Sequence, residues 1–561
     1  MFYSEFVNLY EQLASTTKRL EKTFMLAEFL KHLKEKGKPE WIYLLKGRVF
    51  PEYDPREFGI SDKLALKTIA KASGIKEEEI IKRFRKIGDL GELAEEFMGR
   101  RKQATLFHSK LEVKKVFENL KNLAEIGGKG AVDKKISLIN ELLNSASGKE
   151  AKYIIRTLLF DLRIGVADGI LRDSLAEAFF QGEKMADKIE SSYDLANDYS
   201  LIFEAASNGI KELEKITIFP GRPMKLMLPI KVTKIEEAFR ICGKPAAIEH
   251  KYDGFRVMIS KDDNGKIKLF TRRLENITLQ FPDVVEAIKK HIKGDSFILD
   301  SEVVGFNPKT KKYLPFESIS QRIKRKYDIN KLQRELPVEI NVFDILYYNR
   351  KVLSNIPFIE RRKLLEKIIK IKKLKIRPSM QFITDNEKKA LEFYKKALKI
   401  GEEGIMIKKL DAPYQAGRRV GYMVKMKPDS TDLDLVIVGA EYGSGKRAGW
   451  FTSYILACKS NKNSQEFMEV GKVSSGLKEK EEQGTTYKEM TKLLKPLVLE
   501  EKGKEVKIKP KIVVSVNYQN IQKSPSYSSG YALRFPRITH YRPERGVYDI
   551  VSLSDIEKEA K

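Results

Sequence analysis

The chain has 561 residues, 42% hydrophobic and 33% charged, so it should fold rather than stay disordered. Its length suits about three to four domains of ~150 residues. Lys and Arg number 106 against 78 Asp and Glu, and this net charge of +28 favours a polyanionic partner, either nucleic acid or an anionic membrane surface. Two cysteines, Cys242 and Cys458, exclude a disulfide framework and a four-cysteine zinc site.

The first 220 residues show helical periodicity. Segments such as SEFVNLYEQLASTT, DKLALKTIAKAS and AKYIIRTLLFDL repeat apolar residues at three- and four-residue spacing. The stretch FPGRPMKLMLP (Phe219 to Pro229) ends this pattern with three prolines and a glycine. We therefore predict an all-helical domain over residues 1–220, followed by a linker.

After the linker the period changes to two. RVMIS, KIKLF, SFILDSEVVGF, VEINVFDILYY and GIMIKKL are typical of strands, and PDVVEAIKKHI and EKKALEFYKKALK of helices between them, which predicts an α+β domain over residues 221–430. From LDLVIVGAEYGSG onward, short strands such as YILACKS, FMEVGKV and KIVVSVNY follow one another with little helix. This pattern predicts a small β-barrel over residues 431–561, of which the oligonucleotide-binding barrel is one type. The last stretch, SLSDIEKEAK, predicts a terminal helix capped by Ser554.

A candidate nucleophile lies in the segment EHKYDGFRV (Glu249 to Val257). Lys251 precedes a glycine-bearing turn, and Arg256 enters the next predicted strand. A lysine nucleophile must be unprotonated, although its ordinary pKa is about 10.4, so it needs burial or a nearby cation. Lys-x-Asp-Gly alone favours an ordinary turn with a solvated lysine, so other segments must decide.

Charged residues on other predicted strands supply that support. Alternation in SFILDSEVVGF puts Asp300 and Glu302 on one face, and such a pair is costly to bury without a cation. Glu403 precedes another buried-type strand, and carboxylates from separate strands suit Mg²⁺, which keeps its waters and bridges phosphates. In YMVKMKP, Lys425 and Lys427 share one face and suit phosphate oxygens.

An ordered set of segments carries a family resemblance. KYDGFR, TRRLENIT, ILDSEVV, VFDILYY, EGIMIK, MVKMKP and RFPR occur in this order along the chain. The set closely resembles the ATP-dependent DNA ligases, in particular the archaeal type, within the covalent nucleotidyltransferases. The segments GRVFPEYDPREFG, GDLGELAE and RIGVADGILRD also resemble that family's helical DNA-binding domain. The resemblance implies a helical DNA-binding domain, an α+β adenylation domain and an oligonucleotide-binding barrel with a C-terminal helix.

The resemblance also implies the activity. The family seals nicks between a 5′-phosphate and a 3′-hydroxyl in duplex DNA during replication, repair and recombination, with ATP and Mg²⁺ or Mn²⁺. The reaction passes through a lysyl-AMP enzyme and then an adenylylated DNA. Lys251 matches the lysine that becomes adenylylated. We therefore expect a cytoplasmic monomer that acts on nicked double-stranded DNA; no apolar run approaches the ~20 residues that span a bilayer, and no secretion signal begins the chain.

The remaining site residues are assigned by the same resemblance. Phe343 matches the residue that stacks on adenine, although an isolated phenylalanine is also compatible with core packing. Glu302 and Glu403 match the metal-associated carboxylates, and Arg272 matches the arginine that contacts the sugar or a phosphate. The full set expected around the nucleotide is Glu249, Arg256, Arg272, Glu302, Phe343, Arg419, Lys425 and Lys427.

Four positions depart from the family pattern. Met423 stands where many relatives carry Trp, which puts packing near Lys425 in doubt. Ser515 stands where Glu is common, so a contact from the barrel made at that position is uncertain. Glu544 and Arg545 occupy positions that often read Asp–Lys, and Arg and Lys bind phosphate differently.

Two further segments predict contacts with macromolecules. Arg163 and Gly165 lie in DLRIGVADGI just before a predicted helix start, where phosphate binds well, so we assign them to DNA backbone binding; a helix–turn–helix corner is the alternative. The run QRIKRK (Gln321 to Lys326) is either another phosphate contact or a solvated face. Gln103, Leu106 and Phe107 in RRKQATLFHSK resemble the short motif that docks on a ring-shaped sliding clamp, with a helix entry as the alternative.

Three other functions are compatible with parts of the sequence. An RNA ligase or capping-type guanylyltransferase shares Lys-x-Asp-Gly and the barrel, but the long helical region and TRRLENIT disfavour it. A non-catalytic nick-binding scaffold would not need the nucleophile and metal residues that are present. A ligase that uses NAD⁺ is disfavoured because a zinc-type cysteine cluster and a matching N-terminal extension are absent.

Overall fold

A computed structural model describes residues 1–100, 110–180, 185–325, 327–428, 432–443, 447, 449–461, 464, 466–479 and 485–560. The chain divides into two compact units, Met1–Lys427 and Pro428–Lys561. Within the described residues, the helices are either too short or too polar to cross a membrane.

The first part of unit 1 is helical, as its periodicity predicts. The helices are α1 (Tyr3–Ser15), α2 (Arg19–Lys36), α3 (Asp62–Ser73), α4 (Glu77–Ile87), α5 (Leu90–Gly99), α6 (Val113–Glu125), α7 (Ala131–Ser145), α8 (Gly148–Leu158), α9 (Asp168–Phe180), α10 (Ala186–Ala196), α11 (Tyr199–Ser207) and α12 (Ile210–Glu214). Local chemistry sets several starts; Ser147 caps α8 and Glu150 returns to the Ser147 backbone in a capping box. The apolar faces of these helices share one core.

The rest of unit 1 combines two sheets with helices. Its strands are β1 (Ile230–Val232), β2 (Ala246–Lys251), β3 (Phe255–Lys261), β4 (Ile267–Thr271), β5 (Phe297–Gly305), β6 (Val338–Tyr348), β7 (Lys351–Val352), β8 (Ile376–Pro378), β9 (Gln381–Thr384), β10 (Gly404–Lys409) and β11 (Met423–Met426). Its helices are α13 (Ile235–Cys242), α14 (Pro282–His291), α15 (Phe316–Lys324), α16 (Ile329–Glu335), α17 (Phe358–Ile368) and α18 (Glu387–Lys399). This arrangement confirms the predicted α+β class.

The two sheets face each other, and the candidate active site described below lies between them. Sheet one has the order β1-β11-β10-β2-β9, and sheet two the order β4-β3-β5-β6-β7, with β8 paired to β6. Met258 of sheet two and Met423 of sheet one share a core with the segment around Met227. The opposite face of sheet one packs on α13 and α18, and that of sheet two on α14 and α17. Each sheet therefore has one face on helices and one face toward the other sheet.

Unit 2 is rich in strands, consistent with an oligonucleotide-binding fold. Its strands are β12 (Leu433–Tyr442), β13 (Phe451–Lys459), β14 (Phe467–Val473), β15 (Val498–Lys502), β16 (Glu505–Ile508), β17 (Val513–Asn517), β18 (Ile521–Lys523), β19 (Tyr531–Leu533) and β20 (Arg537–Tyr541). Its helices are α19 (Tyr487–Leu494) and α20 (Leu553–Glu559). Strand β12 pairs with β13 along one edge and with β16 and β17 along the other, so it organises the sheet.

Three local predictions are corrected. Ser552, not Ser554, caps α20, because Asp555 lies three residues after Ser552 and completes a capping box. Helix α19 was missed, although Thr486 followed by Glu489 carries the same signature. In the basic run QRIKRK, Arg322 is neither solvated nor available to phosphate: it is buried and pairs with Asp283.

Candidate active site

Lys251 lies at the end of β2, where sheet one opens toward sheet two. Its Nζ donates a hydrogen bond to Oε2 of Glu403, and the Glu403 amide donates to the Lys251 carbonyl at 3.0 Å. In the register of β2 and β10, Lys251 is opposite Gly404. A Cβ at Gly404 would lie 2.2 Å from the Met426 carbonyl, so only glycine lets β10 pass this close to β11. Burial opposes ionisation of Glu403, but the charge and hydrogen bond of Lys251 outweigh it and lower the pKa of Glu403.

Two further glutamates face the same cation. Burial raises the pKa of Glu302 to about 8; the charges of Lys251 and Arg256 oppose this only in part, and those of Glu403 and Asp300 reinforce it. Burial likewise raises the pKa of Glu402 to about 8, with a further contribution from Asp253. Burial is the main cause of both raised pKa values, so these carboxyls resist ionisation in the absence of a further cation, and a bound divalent cation would favour their charged form.

Replacing Glu302 by glutamine should change the pH dependence of stability. The pKa of Glu302 is about 8 in the folded state and near its ordinary value in the unfolded state. Between these two pH values the folded state binds more protons than the unfolded state, so the free energy of unfolding falls as pH rises. Without divalent cations, Glu302→Gln should gain thermal stability over the wild type as pH rises from about 6 to about 9. Glu392→Gln, at an exposed position on α18, controls for loss of a carboxylate. Equal differences in Tm at both pH values would contradict the assignment.

Basic side chains form a second group beside Lys251. Lys425 lies on β11 in register with Met406, which is itself opposite Glu249 on β2. Burial lowers the pKa of Lys425, and the charges of Lys251, Lys427, Arg272 and Arg419 lower it further. These five predicted residues therefore lie within electrostatic range of one another. Like charges gathered at a cleft are stabilised when they bind a polyanion such as a triphosphate.

Phe343 owes its position to a bulge in β6. The register of β5 and β6 shifts between Asp300/Asp344 and Ser301/Val342, so Phe343 has no partner on β5. The ring lies in a pocket lined in part by Met227, Pro413, Tyr422 and Met423. Nζ of Lys408 is 4.5 Å and Cζ of Arg256 is 5.5 Å from its centroid. An aromatic ring at the wall of a pocket can stack on a base.

Two buried Arg–Asp pairs support this pocket. Nε of Arg256 donates to Asp300 at 2.9 Å and Nη2 at 2.6 Å, and Tyr414 donates to the same carboxylate at 2.7 Å. Nε of Arg361 donates to Asp344 at 2.7 Å and Nη2 at 2.9 Å. Arg256 is thus the cation partner expected for Asp300, because a carboxylate is costly to bury without one. Tyr414 and Arg361 were missed, because no spacing pattern links them to their partners.

Glu249 is buried behind the same pocket. Lys408 donates to its Oε2 at 2.8 Å and Gln381 to its Oε1 at 2.9 Å, while Nη1 of Arg362 is 3.6 Å from Oε1. Both carboxylate oxygens are therefore held in place by neighbouring strands and α17. Lys408, whose ammonium contacts both Glu249 and the Phe343 ring, was not predicted.

The predicted DNA-binding residues lie in the helical region, away from Lys251. Nη1 of Arg163 donates to Asp89 at 2.6 Å and its Nε to Asp161 at 2.7 Å, close to the start of α9. Gly165 has a positive φ of 66°, and a Cβ there would lie 2.6 Å from Nζ of Lys22. Gln103, Leu106 and Phe107 lie outside the described residues.

Comparisons with known proteins identify the family of this chain. Family models match as "DNA ligase N terminus" over residues 1–176, "ATP dependent DNA ligase domain" over 226–427 and "ATP dependent DNA ligase C terminal region" over 447–545. The DNA ligase of Nanoarchaeum equitans is 45% identical over 561 residues, covering 100% of this chain and 98% of its own. That of Thermococcus fumicolans is 39% identical, covering 97% and 96%. A solved structure, Pmar-Lig_PreS3, has a TM-score of 0.55 at 17% identity over 96% of this chain and 99% of its own, a likeness of fold. The chain therefore belongs to the ATP-dependent DNA ligases, as an archaeal-type member.

Proposed function

We propose that Lys251 is the residue through which this DNA ligase carries AMP. Nζ of Lys251 attacks the α-phosphate of ATP, a P–N bond forms, and pyrophosphate leaves. The 5′-phosphate of a nick then takes the AMP and frees the lysine. The 3′-hydroxyl finally attacks the activated phosphate, which seals the strand and releases AMP. The chain contributes alignment and charge stabilisation more than covalent chemistry.

One observation carries this proposal. A partly buried lysine pairs with Glu403, and its charge acts on Lys425 together with those of Lys427, Arg272 and Arg419. Nζ of Lys251 is hydrogen-bonded to Glu403, so this contact must open before Nζ can attack a phosphate. In this proposal Lys425, Lys427, Arg272 and Arg419 bind phosphate oxygens, and Phe343 stacks on the base.

Glu302 and Glu403 are the residues that would hold Mg²⁺ or Mn²⁺. Burial raises the pKa of Glu302, and a bound cation would favour its ionised form, which fits a cation site. Among the described residues, groups of three Asp, Glu, His or Cys side chains arranged to bind a metal are absent. This fits Mg²⁺, which uses one or two carboxylates together with waters and substrate phosphates. When bound, the ion neutralises charge on the phosphate oxygens.

Peptide mapping tests the assignment of Lys251. After incubation with ATP and Mg²⁺, mass spectrometry should locate one AMP adduct on the peptide that contains Lys251. A parallel sample with GTP should carry no adduct, which separates this enzyme from a capping-type guanylyltransferase. An adduct on another residue would end the assignment.

We also propose that nicked duplex DNA binds through its phosphates. The net charge of +28 favours phosphate-led binding. The loop before α9 is held in place, because Lys22 donates to the Ile164 carbonyl at 2.6 Å and Arg163 pairs with Asp89. Arg163 is about half exposed and Gly165 presents backbone next to a 13-residue helix, which supports their assignment to the DNA backbone.

Clamp binding rests on the sequence of residues 101–110 alone. We propose that Gln103, Leu106 and Phe107 dock on a sliding clamp. Phe107→Ala should lower the affinity for the cognate clamp, measured by calorimetry, because it removes an apolar anchor. Phe24→Ala, at an exposed phenylalanine on α2, is the control. Equal affinities of wild type and Phe107→Ala would refute this docking.

The remaining proposals concern organisation. We propose three functional domains, over residues 1–220, 221–430 and 431–561, supported by the end of α12 at Glu214 and the division between the two compact units. We further propose a cytoplasmic monomer that acts in replication, repair and recombination. The basic net charge supports a role on DNA.

A further inference from the structure

Helix α10 of the helical region packs directly on the loop that carries Arg419. The Lys225 amide donates to the Asp194 carbonyl at 2.8 Å, and Nζ of Lys225 is 3.0 Å from Oδ1 of Asp194. Gly417 has a φ of 67°, and a Cβ there would lie 2.2 Å from Oδ2 of Asp194. The last turn of α10 thus contacts both the segment that enters sheet one and the loop that precedes β11.

Arg418 makes the charged part of this contact. Its Nη2 is 3.3 Å from Oε2 of Glu190, 3.8 Å from Oδ1 of Asp187 and 3.4 Å from Oγ of Ser191. Glu190 is held from its other side by Nη1 of Arg172 on α9 at 3.0 Å. An ion-pair network therefore runs from α9 through α10 to the loop.

The backbone of Arg418 is tied to the adenylation region at the same time. Its carbonyl accepts a hydrogen bond from the Leu228 amide at 3.0 Å. Arg419 follows immediately and acts electrostatically on Lys425, together with Lys251 and Lys427. Two adjacent arginines therefore face different partners: Arg418 binds carboxylates of the helical region, and Arg419 lies beside the cations of the site.

We propose that Arg418 is a positioning residue, through which α10 holds the loop so that Arg419 contributes to the phosphate site. This inference rests on the proposed role of Lys251 and its neighbouring cations. It gives the helical region a part in the first reaction step, which needs no DNA. If the loop is already ordered before ATP binds, binding of the triphosphate does not include the entropy cost of ordering the loop. Loss of Arg418 should therefore weaken ATP binding more than it slows the chemical step.

Self-adenylylation without DNA measures this effect. Arg418→Ala should raise the KM for ATP about three- to fivefold, the range for a partly exposed charge pair, and leave kcat nearly unchanged. Glu190→Ala should raise the KM for ATP by a similar factor. The double variant should have a KM no higher than either single variant, because each substitution removes the same Arg418–Glu190 interaction. Arg418→Lys should restore part of the affinity. Lys188→Ala, on the same helix as Glu190, removes a pair with Glu214 of α12 and should leave the KM for ATP unchanged.

Gly417→Ala tests the packing independently. Its Cβ would clash with Asp194, so the KM for ATP should rise at least as much as in Arg418→Ala. Gly74→Ala is the control, because its φ of 74° is close to the 67° of Gly417 while nothing lies within 4 Å of the added Cβ.

The outcomes separate this inference from the proposed function. An unchanged KM in Arg418→Ala, with wild type labelled on Lys251, overturns the positioning role and leaves the lysine assignment intact. Additive effects of Arg418→Ala and Glu190→Ala, or a parallel loss of affinity for nicked duplex, also overturn it. Absence of label on Lys251 in wild type overturns the proposed function itself.

Discussion

Lys251→Ala is expected to abolish transfer of label from α-³²P-ATP to the protein. The side chain that would form the P–N bond is gone, and removing a nucleophile costs at least about 10⁴-fold in rate. Nick sealing with ATP should fall to background with it. Labelling is read on denaturing gels and sealing on a nicked duplex. Lys251→Arg, which keeps a cation beside Glu403, should be equally inactive, because the loss is one of nucleophile rather than of charge.

Duplex binding provides the control for this prediction. The affinity of Lys251→Ala for nicked DNA should stay close to wild type, because most contacts go to phosphates spread over a basic protein. Lys396→Ala, at an exposed position on α18, should retain full labelling. Residual label in Lys251→Ala at the wild-type rate would show that another side chain carries the nucleotide.

Asp344→Ala is expected to cause the largest loss of stability. Arg361 is 1% and Asp344 4% exposed, so removing the carboxylate leaves a buried guanidinium without its counter-charge. Breaking such a pair costs about 3–5 kcal/mol in the free energy of unfolding. Guanidinium denaturation, followed by a probe that reports on unit 1, measures the change.

A double variant distinguishes the lost pair from a general packing defect. Asp344→Leu combined with Arg361→Met removes both charges and should recover part of the stability. Recovery should be incomplete, because Arg361 also donates to the carbonyls of Ile356 and Ala412. A loss below about 1 kcal/mol in Asp344→Ala would mean that water or another anion replaces the carboxylate.

Many elements could be predicted from periodicity. VEINVFDILYY corresponds to β6, EKKALEFYKKALK to α18 and FMEVGKV to β14, each with the same bounds as the structure. Alternation also placed Asp300 and Glu302 on one face, as the register with Met258 and Arg256 confirms. These predictions succeed because side-chain direction along a strand or helix repeats with a fixed local period.

Other features were missed despite a local signal, or have no local signal at all. Helix α19 and the cap of α20 were missed or misplaced although their capping signatures were present. Arg322 belongs to a basic run, yet it is buried because Asp283, 39 residues earlier, meets it across α14 and α15. Arg361 and Asp344 lie on different elements with no characteristic spacing.

The sequence by itself determined the order of helical, α+β and strand-rich parts, the identity of the motif residues and the family to which they belong. Which charged side chains contact each other follows from the tertiary structure alone. Glu403 contacts Lys251, 152 residues away, because β2 pairs with β10. Arg418 contacts Glu190, which lies on α10 of the helical region. The reason is physical. Helix and strand periodicity follow from the geometry of neighbouring residues, whereas the partner of a buried or half-buried charge depends on which distant surfaces pack together and exclude water.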